Sequence, residues 1–404
     1  MKRSTLVIVA AALLISASMG TRQTFGLFID PFASDRGIPV TAIAFAMALH
    51  NLVWGFAQPF AGAAADRYGA MPVVVAGSLA FAAGLALAAV APSGVLLVIG
   101  FGLLVGIGIS CTTFGVVLTA VGRAAAAEKR SMAMGLASAG GSLGQVVLVP
   151  LAQAITEASG LSTSLVALAL VIVAVAPLGF FLDRYDADAA PVVELRAPPL
   201  SEMLALAIHH PGYRLLTVGF FTCGFQLAFI ATYLPGYLLL CQMPAGLGAT
   251  ALALIGLFNM AGTWACGWLG GRFRQQYVLA WLYLVRAVTI GAFVALPKSG
   301  ALVLGFAAIM GLTWLGTVPL TSGWIAKVFG TRHLGTLFGI CFFSHQVGSF
   351  LGAWSGGVAF DLTGSYSLVW GLTAVAGLFA AAVNLPIKDA PASNPVPDPA
   401  SASS

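Results

Sequence analysis

Hydrophobic residues in this chain gather into stretches of about 20, the length that crosses about 30 Å of hydrocarbon as α-helix. They lie near 5–29, 42–65, 71–91, 95–121, 131–156, 162–182, 213–240, 247–270, 276–296, 299–325, 333–359 and 365–386. Twelve transmembrane helices are predicted. The strands of about ten residues, alternating lipid-facing and lumen-facing side chains, that would mark a membrane barrel are absent. One long polar segment, 183–212, carries charges and prolines and separates six helices from six. It reads as a cytoplasmic linker, with a short surface helix expected at SEMLALAIHH. The Pro/Ser/Ala-rich end, KDAPASNPVPDPASASS, is too polar to pack and is expected to be disordered. The pattern thus predicts an all-α membrane protein with an N-terminal six-helix bundle over 1–182, a linker over 183–212, a C-terminal six-helix bundle over 213–387 and a tail over 388–404.

Composition agrees with the pattern. Of 404 residues, 59% are hydrophobic and 8% charged, and mean hydropathy is +0.98; a soluble domain is roughly 25% charged. The positive-inside bias sets orientation. Fourteen of the Lys and Arg residues fall on the side shared by the two termini, against Arg36 and Lys298 opposite. Both termini are therefore expected on the cytoplasmic side of a bacterial inner membrane. The pI of about 9.1 reports this topology and gives no reason to expect a nucleic-acid partner. The opening MKRST, an apolar run and SASMG imitate a secretory signal. Because the apolar pattern continues past Arg22 to Phe28, the segment reads as a retained first helix. Cys111, Cys223, Cys241, Cys266 and Cys341 lack CxxC spacing and read as packing residues, neither disulfides nor metal ligands.

Two arginines interrupt the hydrocarbon pattern: Arg22 in LVIVAAALLISASMGTRQTFGLF and Arg286 in YVLAWLYLVRAVTIGAFVAL. A guanidinium stays charged, and its burial near the bilayer centre costs at least a few kcal/mol, so each should face a wet cavity, a partner or an anion. All thirteen acids fall at helix ends, in loops or in the tail. The missing negative charge is expected to come from the substrate. At a rise of 1.5 Å per residue, Arg22 stands about 25 Å from the cytoplasmic end of its helix and Arg286 about 15 Å.

The two halves repeat. A shift of 204 residues aligns Gly20 with Gly224, Arg22 with Gln226, Pro31 with Pro235, Gly135 with Gly339 and Gly144 with Gly348. A shift of 205 lays GAAADRYGAMPVV, from Gly62, over GWLGGRFRQQYVL, from Gly267, so that Asp66-Arg67 meets Gly271-Arg272. A six-plus-six parallel repeat is how two-bundle alternating-access transporters are built, with the solute site near the midplane between the halves.

At these residues the chain resembles the major facilitator superfamily. GAAADRYGA after helix 2 looks like that family's G-x-x-x-D-R-x-G signature, with Gly62, Asp66, Arg67 and Gly69 in place. A degenerate copy containing Arg272 follows helix 8. The resemblance implies the major facilitator fold, a monomer, and a lock in which Asp66 and Arg67 hold the halves together on the cytoplasmic side, Asp66 capping a neighbouring helix. The basic residues usual after the glycine are replaced by Ala70 and Met71, and Gly271 stands where the second copy would carry Asp. Within the superfamily, GTRQTFGLFIDPF and SHQVGSFLGAWSGG are similar to bacterial monocarboxylate and oxalate/formate carriers. Those families place a substrate-binding arginine in helix 8; here LIGLFNMAGTWACGWLGG has none, so the role would fall to helix 1 or helix 9.

The resemblance puts helix 1 beside the central cavity and helix 9 at the periphery. Arg22 is accordingly expected to bind the anion, opposite its repeat partner Gln226, the alternative being a structural arginine holding carbonyls at a helix break near Gly20. For Arg286 the same two roles, substrate contact or support of a broken neighbour, stay open. His345-Gln346 and His50-Asn51 are further candidates; either imidazole could carry a proton where no acid is present, or be a neutral buried histidine. Tyr233 is a candidate contact, with Thr112, Thr113, Tyr237, Asn259, Trp314 and Thr317 as further cavity-liners. Glycine-rich GGSLGQ in helix 5 and GSFLGAWSGG in helix 11 read as packing surfaces. Five scattered histidines make no catalytic cluster, so no enzyme activity, cofactor or metal is expected. The sequence points to a secondary carrier in the lipid bilayer, moving a small organic anion, most simply a monocarboxylate, with a co-transported proton as the first coupling hypothesis. An exporter of acidic or neutral drug-like compounds is the rival.

Overall fold

A computed structural model describes residues 3–183 and 199–390. Half of the expected linker, 184–198, and most of the expected tail, 391–404, lie outside the described residues. Ten helices among the described residues are long and apolar enough to cross a membrane; one of them, Ala127–Leu182, covers 56 residues. That one reverses at Gly160, whose φ of 83° only glycine adopts without strain, and so forms two spans. Val40–Tyr68, 29 residues long, completes twelve.

In chain order the spans are α1 (Arg3–Gln23), α2 (Val40–Tyr68), α3 (Ala70–Ala89), α4 (Gly94–Ala124), α5 (130–159), α6 (161–182), α7 (Pro211–Leu240), α8 (Ala245–Arg272), α9 (Gln275–Ala295), α10 (Gly300–Phe329), α11 (Leu334–Thr363) and α12 (Ser367–Asn384). A short helix, Leu200–His209, precedes α7.

In a bilayer the lipid is as apolar as leucine, so helices associate through close packing of small residues. The repeated glycines are the contact points. A methyl group on Gly20 of α1 would lie 2.6 Å from the Gly144 backbone of α5, and one on Gly348 of α11 would collide with Phe221 of α7. Two further seams join the halves of the chain. Gly135 of α5 meets Gly267 of α8, and Gly339 of α11 meets Pro59 of α2, with 2.8 and 2.7 Å respectively for an added methyl.

Two spans are broken midway. In α4, Thr113 is extended at φ −126°; in α10, helix stops at Thr313 and resumes at Thr317. Carbonyls freed in hydrocarbon need other donors. Gln58 of α2 supplies one in the first half, donating from Nε2 to the Ser110 carbonyl at 2.8 Å.

Candidate functional site

The site is built where helices end or break. α1 stops at Gln23, one residue beyond Arg22, and continues as a tight turn over Phe25–Phe28 and a separate short helix, Ile29–Arg36. Ending there leaves Arg22 at a helix terminus instead of mid-helix. Its Nη2 donates to Asn51 Oδ1 on α2 at 2.8 Å, and its guanidinium lies over the Trp54 ring, 5.2 Å from the centroid. Nε is buried without a partner.

Arg22 lines a cavity of about 460 Å³, together with Gln23, His50, Ser142, Gln145, Asn259 and Trp314 and an apolar wall that includes Met19, Met47, Phe114, Leu252 and Ile255. The volume falls in the range of roughly 300–1,000 Å³ common for small-molecule sites. Among the described lining residues none is acidic, and Arg22 is the one permanent charge among them. His50 is 2% exposed and neither ring nitrogen has a hydrogen-bond partner; its ring meets Phe25 edge-on at 5.7 Å. Asn259 crosses between the halves, donating from Nδ2 to Ser142 Oγ at 2.8 Å and accepting from the Leu315 N–H at 3.0 Å. Gln23 and Gln145 meet at 3.4 Å.

The other candidates lie elsewhere. Arg286, fully buried, donates to the Thr313 carbonyl, to the Trp314 carbonyl at 2.6 Å and to Cys223 Sγ at 3.3 Å. These carbonyls are freed by the break in α10. Arg286 therefore does from α9 what Gln58 does from α2, and it is not among the cavity-lining residues. It supports the break that presents Trp314 and Leu315 to the cavity, in place of the substrate contact left open for it. The expected pairing of Arg22 and Gln226 across one space also fails: Gln226, fully buried, donates to the Thr373 carbonyl of α12 at 3.0 Å and faces Arg286 at 3.5 Å.

His345 lies outside the cavity, stacked on Phe342 at 5.4 Å with Nδ1 3.1 Å from Gln346 Oε1. Gln346 acts at one remove, donating to the Asn51 backbone carbonyl at 3.1 Å. Tyr233 pins α7 to α11 by donating to the Ala353 carbonyl. Of the further cavity-liners expected, Asn259 and Trp314 face the space. Thr112 instead receives a bond from Ser18, Thr113 back-bonds to Ile109, Thr317 meets Cys223, and Tyr237 packs against Trp370. Gln23, Ser142 and Gln145 were not expected as site residues, and for Gln145 a polar side chain inside a glycine-rich stretch was the available signal.

At the opposite end of α2 the molecule is closed. Asp66 Oδ2 accepts from the Thr336 N–H at 2.9 Å and from Thr336 Oγ1 at 2.8 Å, while Oδ1 accepts from the Gly335 N–H at 3.2 Å and from Arg123 Nη2 at 2.9 Å. The carboxylate thus caps the first turn of α11. Arg123, which also donates to the Thr331 and Arg332 carbonyls, takes the locking part expected of Arg67. Arg67 lies over its neighbour Tyr68, and Arg272 over Trp268, each 5.2 Å from the ring centroid. Gly62 touches Gly335, and Gly69, at φ 90°, turns the chain into α3, whose first N–H groups Asp183 caps at 2.7 and 2.8 Å. His50 is sixteen positions before Asp66, roughly 24 Å along α2, so the cavity sits in the half of the molecule away from this closed face.

A family model described as Major Facilitator Superfamily matches residues 11–353. The chain is similar to monocarboxylate transporter 13 of Bos taurus, 25% identical over 93% of this chain and 86% of that protein. It is also similar to the oxalate:formate antiporter of Oxalobacter formigenes, 21% identical over 85% and 82%. Among solved structures, the E. coli fucose:proton symporter FucP in the outward conformation superposes with a TM-score of 0.72 at 16% identity, covering 95% of this chain and 98% of that one; the likeness is one of fold.

Proposed function

Because the chain belongs to the Major Facilitator Superfamily it is a transporter and not an enzyme, and we propose that it carries a small organic anion, most simply a monocarboxylate, through the cavity at Arg22 by alternating access. The observation that carries this reading is an arginine lining a cavity with no acid among its described lining residues, with one nitrogen committed to Asn51 and Nε unpartnered. A carboxylate matches the guanidinium fork, and its charge offsets a burial cost that no described residue lining the cavity offsets with a charge. The apolar wall suits the organic part of the solute. The names of the monocarboxylate and oxalate:formate relatives support the same class.

His50 is the proton carrier in this scheme. It shares the cavity with Arg22, both its nitrogens are unpartnered, and a bound carboxylate would stabilise its imidazolium, so proton and anion would bind cooperatively. With the termini cytoplasmic, in a bacterial inner membrane, the Asp66 face is the inner one and the cavity belongs to an outward-facing state. The first six helices, 1–182, and the last six, 213–387, then rock across the Gly135–Gly267 and Gly339–Pro59 seams. The apolar wall equally fits export of a larger acidic compound, which solute size would separate from monocarboxylate transport.

Counterflow in proteoliposomes tests the reading. Wild-type protein should exchange labelled small carboxylates saturably, and Arg22→Lys, which keeps charge but not the fork, should lose at least about tenfold in rate. Wild-type exchange by Arg22→Lys would sink it.

A further inference from the structure

The molecule carries one corner twice, once with a carboxylate and once without. In the first copy Asp66 ends α2, pairs with Arg123 near the end of α4 and caps α11. In the second, about 204 residues on, Gly271 replaces the acid, Lys327 stands for Arg123, and the N-terminus of α5 stands for that of α11. Lys129, the residue before α5, makes no capping bond, and the Arg130 N–H turns to the Ala127 carbonyl. Lys327 is paired instead with Asp389, beyond α12, at 2.9 Å, and Arg274 with the same carboxylate at 3.1 Å.

Where the acid is missing there is a cavity of about 520 Å³, lined by Glu128, Arg130, Ser131, Arg272, Gln275 and Lys327 among others. Two of its side chains hold polar atoms without partners. Ser131, 3% exposed, has an unbonded Oγ directed at Gly270 and Gly323 of the same wall; Gln275, 6% exposed, has an unbonded Oε1. Ser131 occupies the place that Gly335 has under Asp66. Arg272 on the rim lies over the Trp268 ring, and the exposed acid Glu128 is outnumbered by the basic residues Arg130, Arg272, Arg274 and Lys327 of the described lining.

We propose that this cavity binds a small phosphate-type oxyanion, which supplies the negative charge that Gly271 withholds. The dipole at the start of α5 attracts it, and the Ser131 hydroxyl and the Arg272 guanidinium are its donors. Because Glu128, Arg130 and Ser131 belong to the first half of the chain and Arg272 to Lys327 to the second, the bound anion bridges the halves and holds this face closed, as Asp66 does at the other corner. A free phosphate and a phospholipid headgroup share the chemistry.

Thermal unfolding of the full-length protein in detergent tests this, comparing inorganic phosphate with chloride at equal ionic strength. Phosphate at about ten times its dissociation constant should raise Tm by roughly 2 °C. Gly271→Asp should raise Tm without phosphate and abolish the response; a methyl group there meets only the Glu128 carbonyl, at 3.3 Å. Should that variant not fold, Ser131→Ala with Arg272→Gln should weaken the response at least about tenfold in phosphate concentration. Arg22→Gln should leave it intact, separating this site from the solute cavity. In nanodiscs, loss of the phosphate response and a higher Tm in phosphatidylglycerol relative to phosphatidylcholine identify the headgroup as occupant; a retained response identifies free phosphate. No stabilisation by phosphate or by phosphatidylglycerol overturns the proposal. So does a response that survives Gly271→Asp, one that the double variant leaves at the wild-type phosphate concentration, or one that disappears in Arg22→Gln.

Discussion

Arg22 and Arg286 are the same residue in similar apolar surroundings, yet the structure uses them differently. Arg286 gives its donors to carbonyls released by the break in α10 and is fully buried. Arg22 faces a cavity with no acid among its described lining residues, resting on Trp54 and tied by one nitrogen to Asn51. A buried cation must be compensated in either case. What decides its role is whether the compensation is already inside the fold. Nε is buried without a partner in both; Arg286 has both Nη groups bonded within the chain, whereas Arg22 makes one hydrogen bond and faces a space large enough for a solute.

The largest effect should come from removing the satisfied arginine. Arg286→Met leaves two carbonyls of α10 without donors in a dry interior, a loss of about 3 kcal/mol or more. Tm and detergent-extractable yield should both collapse; a stable Arg286→Met variant would erase the distinction drawn here. Arg22→Lys should do the opposite, leaving Tm within about 2 °C of wild type while counterflow falls at least about tenfold. His50→Gln sharpens the contrast within the cavity. It should keep anion exchange but lose uptake driven by a pH gradient, read as flattened pH dependence; unchanged proton-driven uptake would remove His50 from the scheme.

How much of this the sequence carried follows from what bilayers hide. Segment lengths, the repeat and the Asp66 corner are legible because they depend on hydrophobicity and glycine spacing. The direction a side chain faces around a spanning helix is not, since lipid and protein neighbours are both apolar and leave no amphipathic stripe. That is why Gln226, which the repeat aligns with Arg22, turns toward α9 and α12, and why His345 stacks on Phe342 away from the cavity. The break in α10 had a trace in Gly316 and Pro319, but its partner across the bundle, Arg286, could be named only once the helices were packed. Arg123 was missed as the partner of Asp66 because the family signature ends at Gly69 and α4 lies far along the chain.

The smallest expected effect lies outside the membrane, at Asp389. Burial raises its carboxyl pKa, but hydrogen bonds and charge from Lys327 and Arg274 outweigh that and hold it below the usual carboxylate value. A depressed folded pKa means that the contribution is complete above the unfolded value of about 3.9 and is lost as pH falls through the lower folded one. Asp389→Asn should therefore lower Tm by about 1 °C or less. That difference should be the same at pH 7 and pH 5, narrowing only below about pH 4. A difference that shrinks already between pH 7 and pH 5 would contradict the pairing.

The central claim is that an anion completes Arg22. Its most direct measurement is equilibrium binding of small carboxylates and their neutral amide isosteres, followed by thermal shift in wild type and Arg22→Gln. Carboxylates should stabilise the wild type, amides should not, and the carboxylate response should vanish in Arg22→Gln. Equal stabilisation by acid and amide, or a carboxylate response unchanged in Arg22→Gln, would contradict the account.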